Sequence, residues 1–161
     1  MIDNRGAAVE PLPRRERSAR FDGPPASAHR ESLAGPDTDH AVRTQLAGLR
    51  HALPGVRGCV VAGVDGLLIS HDLTGDPEPH DLAALAATTF GLGRQAGLAL
   101  RHGPFRESTV HSHRGYFAVY AVSETVLLAV LGDDGLNVAR LHLEARPLAN
   151  RLADLLHVRT A

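Results

Sequence analysis

Histidine is the residue type whose abundance most suggests chemistry, with 10 in 161 residues, because imidazole binds zinc and moves protons near neutral pH. His111 and His113 stand two apart in a run with strand character, Glu107 to Arg114, and so fall on one face, a spacing compatible with zinc ligation. Two ligands do not hold a metal, however, and neither a cysteine pair nor a His-Glu-x-x-His helix supplies the others. The pair is read as solvent-facing strand histidines, and no metal is expected. A nucleophile is equally unsupported. Ser70, Ser108, Ser112 and Ser123 lack a Gly-x-Ser-x-Gly elbow, and no Cys-His signature surrounds Cys59, which lies in an apolar run as a small buried hydrophobe would.

Phosphate chemistry has one apparent motif, Gly91-Leu-Gly93-Arg-Gln-Ala-Gly97. A dinucleotide fingerprint needs its glycines at a strand-to-helix turn, where backbone amides meet the pyrophosphate. These are spaced two and four apart, not two and three, and fall inside a helical pattern. No P-loop is present, and all 17 basic residues are arginine, so the lysine such a loop requires is missing. No cofactor and no catalytic residue are expected. Three glycines in one helix cost roughly 2–3 kcal/mol relative to alanine, which calls for close approach of another backbone, either a second copy of the helix or the chain's own sheet. Arg94, Arg101 and Arg106 follow or flank that helix and are candidate partner contacts. An arginine donated in trans can accelerate GTP hydrolysis, but no spacing marks one of the three for it.

The elements that would carry these residues follow from apolar periodicity. Asp37 to Asp39 offer an N-cap before Val42, Leu46, Leu49 and Leu53, one helical stripe ended by Pro54-Gly55. Two strands, Val56 to Gly63 and Leu67 to His71, flank an Asp65-Gly66 hairpin turn. A long amphipathic helix spans 80–102, with Leu82, Leu85, Ala86, Thr89, Phe90, Gly93, Ala96 and Leu100 on one broad face. Three β-rich runs form a meander: Glu107 to Arg114, Tyr116 to Val122 and Thr125 to Leu131. Val138, Leu141, Ala145, Leu148, Leu152 and Leu155 mark a last helix starting near Asn137. Its stripe keeps phase across Pro147, which predicts one helix, kinked near Leu143, over two helices joined there. The order α-β-β-α-β-β-β-α with hairpin connections predicts an α+β fold around a five-stranded antiparallel sheet.

Composition bounds the rest. Residues 1–37 mix arginines and acids with the prolines Pro11, Pro13, Pro24, Pro25 and Pro36; such a stretch buries too little apolar surface to offset chain entropy and is read as a disordered tail. The ordered domain is expected over 38–158. A formal charge of -1 and a pI near 6.8 favour neither nucleic acid nor an anionic membrane as partner. One cysteine excludes a disulfide scaffold, and no signal peptide or membrane span is evident, so the cytoplasm is expected. The all-arginine basic set suggests a high-GC bacterium.

Several segments in this order resemble the roadblock/dynein light chain family: Leu53-Pro-Gly-Val-Arg-Gly-Cys-Val60 leading into Asp65-Gly-Leu-Leu68, the small-residue helix after Asp81, Tyr116-Phe-Ala-Val-Tyr120, and Leu127-Leu-Ala-Val-Leu131 before Gly135-Leu-Asn-Val-Ala-Arg-Leu141. The resemblance covers about 38–158 and implies a roadblock-like (profilin/longin-like) fold. It also implies homodimers whose middle helices pack together and whose sheets join across the two-fold axis. On this chain that places Ala86, Phe90, Gly93 and Gly97 in the helix pair. Bacterial members accompany small Ras-like GTPases and, in actinobacteria, sensor kinase-like proteins. The implied function is a non-enzymatic homodimeric adaptor or regulator in GTPase signalling. A small-molecule-sensing module of related fold is the alternative, and a cavity lined by Tyr116, Phe117 or Tyr120 and the middle helix would mark it. The arginine- and proline-rich tail and Pro147 depart from the family pattern.

Overall fold

Strands β1 (Val56–Gly63) and β5 (Val126–Asp133) are the most continuously apolar segments of the chain, and the computed structural model, which describes residues 35–157, places them side by side in the middle of one sheet. Strands covered on both faces read as unbroken apolar runs, and here Cys59, Val61, Leu128 and Val130 contribute to one core cluster while Val60, Leu127 and Ala129 contribute to the other. Strand β2 (Leu68–Asp72) pairs outside β1, and β4 (Gly115–Ala121) and β3 (Glu107–Ser112) continue beyond β5, giving the order β2-β1-β5-β4-β3, antiparallel throughout. The predicted fold class and element order are those observed.

Helices α1 (Pro36–Ala52) and α3 (Val138–His157) share one sheet face, where Val42, Leu46 and Leu49 meet Leu141, Ala145, Leu148 and Leu152 over the sheet. Helix α2 (Pro79–Ala99) covers the opposite face through Leu82 and Ala86, with Phe90 packed beside them. Because β2 and β3 occupy opposite edges, α2 is the connection that carries the chain across the sheet. No helix among the described residues is long and apolar enough to cross a membrane.

Local chemistry sets the boundaries. The first helix starts earlier than its aspartates suggest: Gly35 holds the N-cap position and Pro36 the first turn, where its fixed φ suits the helix and its missing N–H costs nothing. Asp37 and Asp39 lie in that turn, favourably placed against the helix dipole, and Asp39 Oδ1 accepts a 2.6 Å hydrogen bond from Ser70 Oγ that ties α1 to β2. In the β1–β2 hairpin only Gly66 takes a positive φ, 85°, and Asp65 Oδ1 accepts from the Leu67 amide. Helix α3 starts where expected, and Asn137 caps it by accepting from the Arg140 amide at 3.0 Å. Helix α3 then runs through Pro147, which is exposed, as a single element. Strand β3 is shorter than predicted. It ends at Ser112, because β3 pairs Ser112 with Gly115 and leaves His113-Arg114 as a two-residue turn. Of the arginine- and proline-rich tail expected over residues 1–37, all but the last three residues lie outside the described residues.

Cys59, flanked by β5 and β2, is buried in the core that the sheet shares with α1 and α3, and that burial pushes its thiol pKa up to about 12. Since the thiolate is the reactive species, Cys59 is expected to resist an aromatic disulfide reagent in native buffer and to react stoichiometrically in denaturant. Rapid native labelling would contradict this placement.

Candidate interaction surface

Helix α2 divides into two halves. Leu82, Ala83 and Ala86 in the first half are buried on the sheet. Beyond Phe90 the inner side carries only Gly93 and Gly97, and both make room for the chain's own loop. A Cβ at Gly93 would collide with the Phe105 ring, and one at Gly97 would stand 2.5 Å from the Gly103 carbonyl oxygen. Phe105 fills the space at Gly93 and meets Phe90 edge to face, with centroids 5.5 Å apart at 87°. Within one protomer, then, Gly97 meets a backbone and Gly93 a side chain, while Gly91 faces open space. Ala86, Phe90, Gly93 and Gly97, expected together in a helix pair, lie together on the inner side of α2.

The outer side is different. At about 100° per residue, Leu85, Thr88, Leu92, Gln95 and Ala99 form its centre, with Ala84, Gly91, Ala96 and Leu98 beside them; all are exposed and none is charged. Leu92 is 74% exposed and Leu98 64%. A helix that is apolar on both sides is normally covered on both, and an uncharged stripe of this length exceeds the scattered apolar residues of an ordinary surface.

The C-terminus of α2 accounts for one of the candidate arginines. The His102 amide donates to the Gly97 carbonyl and the Arg101 amide to the Leu98 carbonyl, the paired bonds of a Schellman ending. Arg101 occupies the left-handed position of that motif, φ 59°, where glycine is the usual residue. Arg94 is exposed on the flank of α2, and Arg106 is exposed just before β3, its carbonyl accepting from the Ala121 amide. The three do not share one surface, since Arg94 lies with Phe90 and Phe105 on the α2 side while Arg106 borders Glu107, Tyr120 and Arg146 beside α3.

A polar network that periodicity does not reveal lies on the other sheet face. Arg146 of α3 donates from Nε and Nη2 to the two carboxylate oxygens of Glu107, at 2.9 and 2.6 Å. His142 Nδ1 is 3.7 Å from Glu107 Oε1 and shares a 2.9 Å hydrogen bond with the Tyr120 hydroxyl. The Arg146 hydrogen bond holds the Glu107 carboxyl below its usual range, burial opposes, and the charges of Arg146, His142 and Arg106 add to the lowering. Burial pushes the Tyr120 hydroxyl upward, Glu107 reinforcing it. Glu107 and Arg146 are 39 residues apart, so no local motif marks the pair. Arg50 of α1 makes a comparable contact with Asp72 of β2, 2.7 Å from Nε.

The histidine pair separates. His111 stacks on Tyr116 at 4.2 Å while His113 lies in the turn, and among the described residues no three His, Cys, Asp or Glu side chains gather as a metal site. The nucleotide-like glycines lie within α2 and not at a strand-to-helix turn. A cleft of about 520 Å³ does open against α2, but Val64, Phe90, Arg94, Pro104, Phe105, Ala121, Ser123 and Glu124 line it. Tyr116, Phe117 and Tyr120 do not, because β4 directs Phe117 into the sheet–helix core and Tyr120 toward α3, while Tyr116 is held against His111.

Residues 44–132, more than half of the chain, match the family model for the Roadblock/LC7 domain. The chain belongs to the Roadblock/LC7 domain family. A crystal structure of a Roadblock/LC7 domain from Streptomyces avermitilis superposes with a TM-score of 0.67 at 26% identity, covering 71% of this chain and 97% of that one. The gliding protein mglB from Thermus thermophilus shares the fold with a TM-score of 0.71 at 17% identity, covering 80% and 98%. An MglB in a tetrameric arrangement gives 0.72 at 18% identity, covering 80% and 97%. The family match spans β1 through most of β5 and includes all of α2.

Two expectations follow. Arg101→Gly removes the cost of a side chain at positive φ and should raise stability by about 1 kcal/mol in urea denaturation; a loss would show that the Arg101 side chain holds the helix end. Glu107 has a depressed folded pKa, so its contribution is present above the unfolded carboxylate value, about 4.3, and is lost as pH falls through the folded one. The stability gap between the native sequence and Glu107→Gln should be open at pH 6 and close as the pH drops below about 4.3; a gap independent of pH would exclude this ion pair as its source.

Proposed function

We propose that this Roadblock/LC7 protein is a non-enzymatic homodimeric regulator of a small Ras-like GTPase signalling complex. The observation that carries the reading is the uncharged outer face of α2, long enough to seat a second copy of itself. Leu85, Leu92 and Leu98 supply its apolar area, and the inner residues Ala86, Phe90, Gly93 and Gly97 hold the helix at the height from which it can meet its copy. A pairing of this kind is isologous, each leucine stripe facing its own image. Strand β3 is an edge strand with its last residues exposed, and unpaired edge amides and carbonyls are a template for further pairing, so joining of the two sheets is part of the same proposal.

The GTPase assignment rests on the family. Its bacterial members accompany small Ras-like GTPases, and the fold is shared with gliding proteins of the MglB type. Arg94, Arg101 and Arg106 are the proposed contacts to the GTPase or to a sensor kinase-like component. They would act by charge complementarity with the partner's surface, which sets partner choice and encounter rate more than affinity. The domain doing this spans about 38–158, with the arginine- and proline-rich segment before it outside the module, and cytoplasmic residence fits a GTPase partner.

Light scattering on a size-exclusion column should give twice the protomer mass at micromolar concentration. Leu92→Glu buries two carboxylates in such an interface and should shift the protein to monomer, since an unpaired buried charge costs several kcal/mol. A native protein that runs as a monomer, or a variant that stays dimeric, counts against α2 pairing. Affinity capture with the native protein that recovers no GTPase from its own cells counts against the partner.

A further inference from the structure

The cleft beside α2 has the size, the wall and the polar groups of a small-molecule site, and of its lining the proposed GTPase regulation uses Arg94 alone. Its volume of about 520 Å³ is that of a pocket for a compact organic ligand. Phe90 and Phe105 form one wall, locked edge to face, and Gly93 is what lets the Phe105 ring lie directly on the helix. The wall is thus preorganised by a glycine that would otherwise only weaken α2.

The polar groups at this cleft select a ligand. Arg94 carries five N–H donors, is exposed at the rim, and follows Phe90 by four residues, so both side chains project from the same side of α2. The Ser123 oxygen accepts from the Thr125 amide at 3.3 Å, which leaves its O–H free to donate. Two donor groups over an apolar floor suit a carboxylate on an apolar body. Glu124, the single acid of the lining, leaves the site with one cation against one anion. That balance disfavours a phosphate dianion and turns the ligand's carboxylate toward Arg94. The cleft opens on the flank of α2, about a third to half a turn around the helix from the centre of the uncharged outer stripe and next to its margin at Leu98, four residues after Arg94, so occupancy leaves the centre of the stripe free to pair.

We infer that the Phe90–Phe105 cleft binds an organic monocarboxylate with an aromatic or branched apolar body, its carboxylate held by Arg94 and Ser123. The inference stands apart from the GTPase reading, because ligand binding can be measured on the purified full chain with no partner present.

The test uses 3-phenylpropionate as probe in a heteronuclear NMR titration, with 3-phenylpropanol and 2-phenylethylphosphonate as the neutral and dianionic comparisons. The acid should give saturable millimolar shifts concentrated at 90–94, 104–106 and 121–125, and the alcohol and phosphonate should bind at least several-fold more weakly. Arg94→Gln, a surface change that leaves the spectrum otherwise intact, should weaken the acid about tenfold or more, as loss of a charge-assisted hydrogen bond does, while leaving the alcohol unchanged. Glu124→Gln should keep or strengthen acid binding. The inference is overturned if no probe saturates, if the shifts lie elsewhere, if acid and alcohol bind equally, if the phosphonate binds more tightly, if Arg94→Gln has no effect, or if Glu124→Gln weakens the acid.

Discussion

Everything in this fold depends on the central pair β1 and β5 being buried on both faces. Two apolar strands side by side need a cover above and a cover below, and the chain has three helices with which to supply it. Helices α1 and α3 close one face together. The other is left to α2 alone, and because β2 and β3 stand at opposite edges, that helix must also serve as the crossing connection. A segment with both duties is anchored at its start, by Leu82 and Ala86, and runs out toward the far edge with less of the sheet beneath it.

The second half of α2 shows how the protein manages that overhang. Gly93 and Gly97 lower the helix profile so that Phe105 and the Gly103 carbonyl can close against it from below. Above, no charged side chain interrupts the exposed stripe from Leu85 to Ala99. The same glycines therefore thin the helix on its inner side, while leucines and alanines thicken its outer side with apolar area. Packing within the protomer and readiness for a second helix are separate demands, met by different residues of one element. The cleft beside Phe105 is a by-product of the overhang, a space that neither sheet nor loop fills.

On the opposite face polar contacts fasten helices to edge strands. Asp39 with Ser70 and Arg50 with Asp72 bind α1 to β2, and Arg146 with Glu107 binds α3 to β3. Each joins a helix to an edge, where a strand has one neighbour only, so the sheet margins are held by side chains as well as by ladder hydrogen bonds. Partly exposed pairs of this kind contribute modestly to stability, but they fix which helix lies over which strand.

Periodicity was sufficient for what repeats along the chain. The 3.6-residue stripes of α1 and α3, the start of α3 near Asn137, the Asp65-Gly66 turn and the apolar runs of β1 and β5 are local patterns with local causes, and so the element order, the antiparallel sheet and the family were all legible. Boundaries shifted where a local rule met a competing one: Pro36 extended α1 past its aspartates, and the pairing of Ser112 with Gly115 took His113 out of β3. The candidate surface was legible only in part. Sequence showed that the glycines of α2 call for a close neighbour, but two neighbours satisfy the same spacing, and only the folded chain set Phe105 against Gly93 and the Gly103 carbonyl against Gly97 while leaving Gly91 in open space. It likewise put Leu85, Ala96 and Leu100 in the open, correcting the single broad face that periodicity drew from Leu82 through Leu100. Only Leu82, Ala83 and Ala86 are buried on the sheet, and the apolar residues beyond them outnumber the places it offers. The Glu107–Arg146 pair and the Phe90–Phe105 cleft join residues far apart in the chain, and contacts of that kind exist only once the strands have chosen their order.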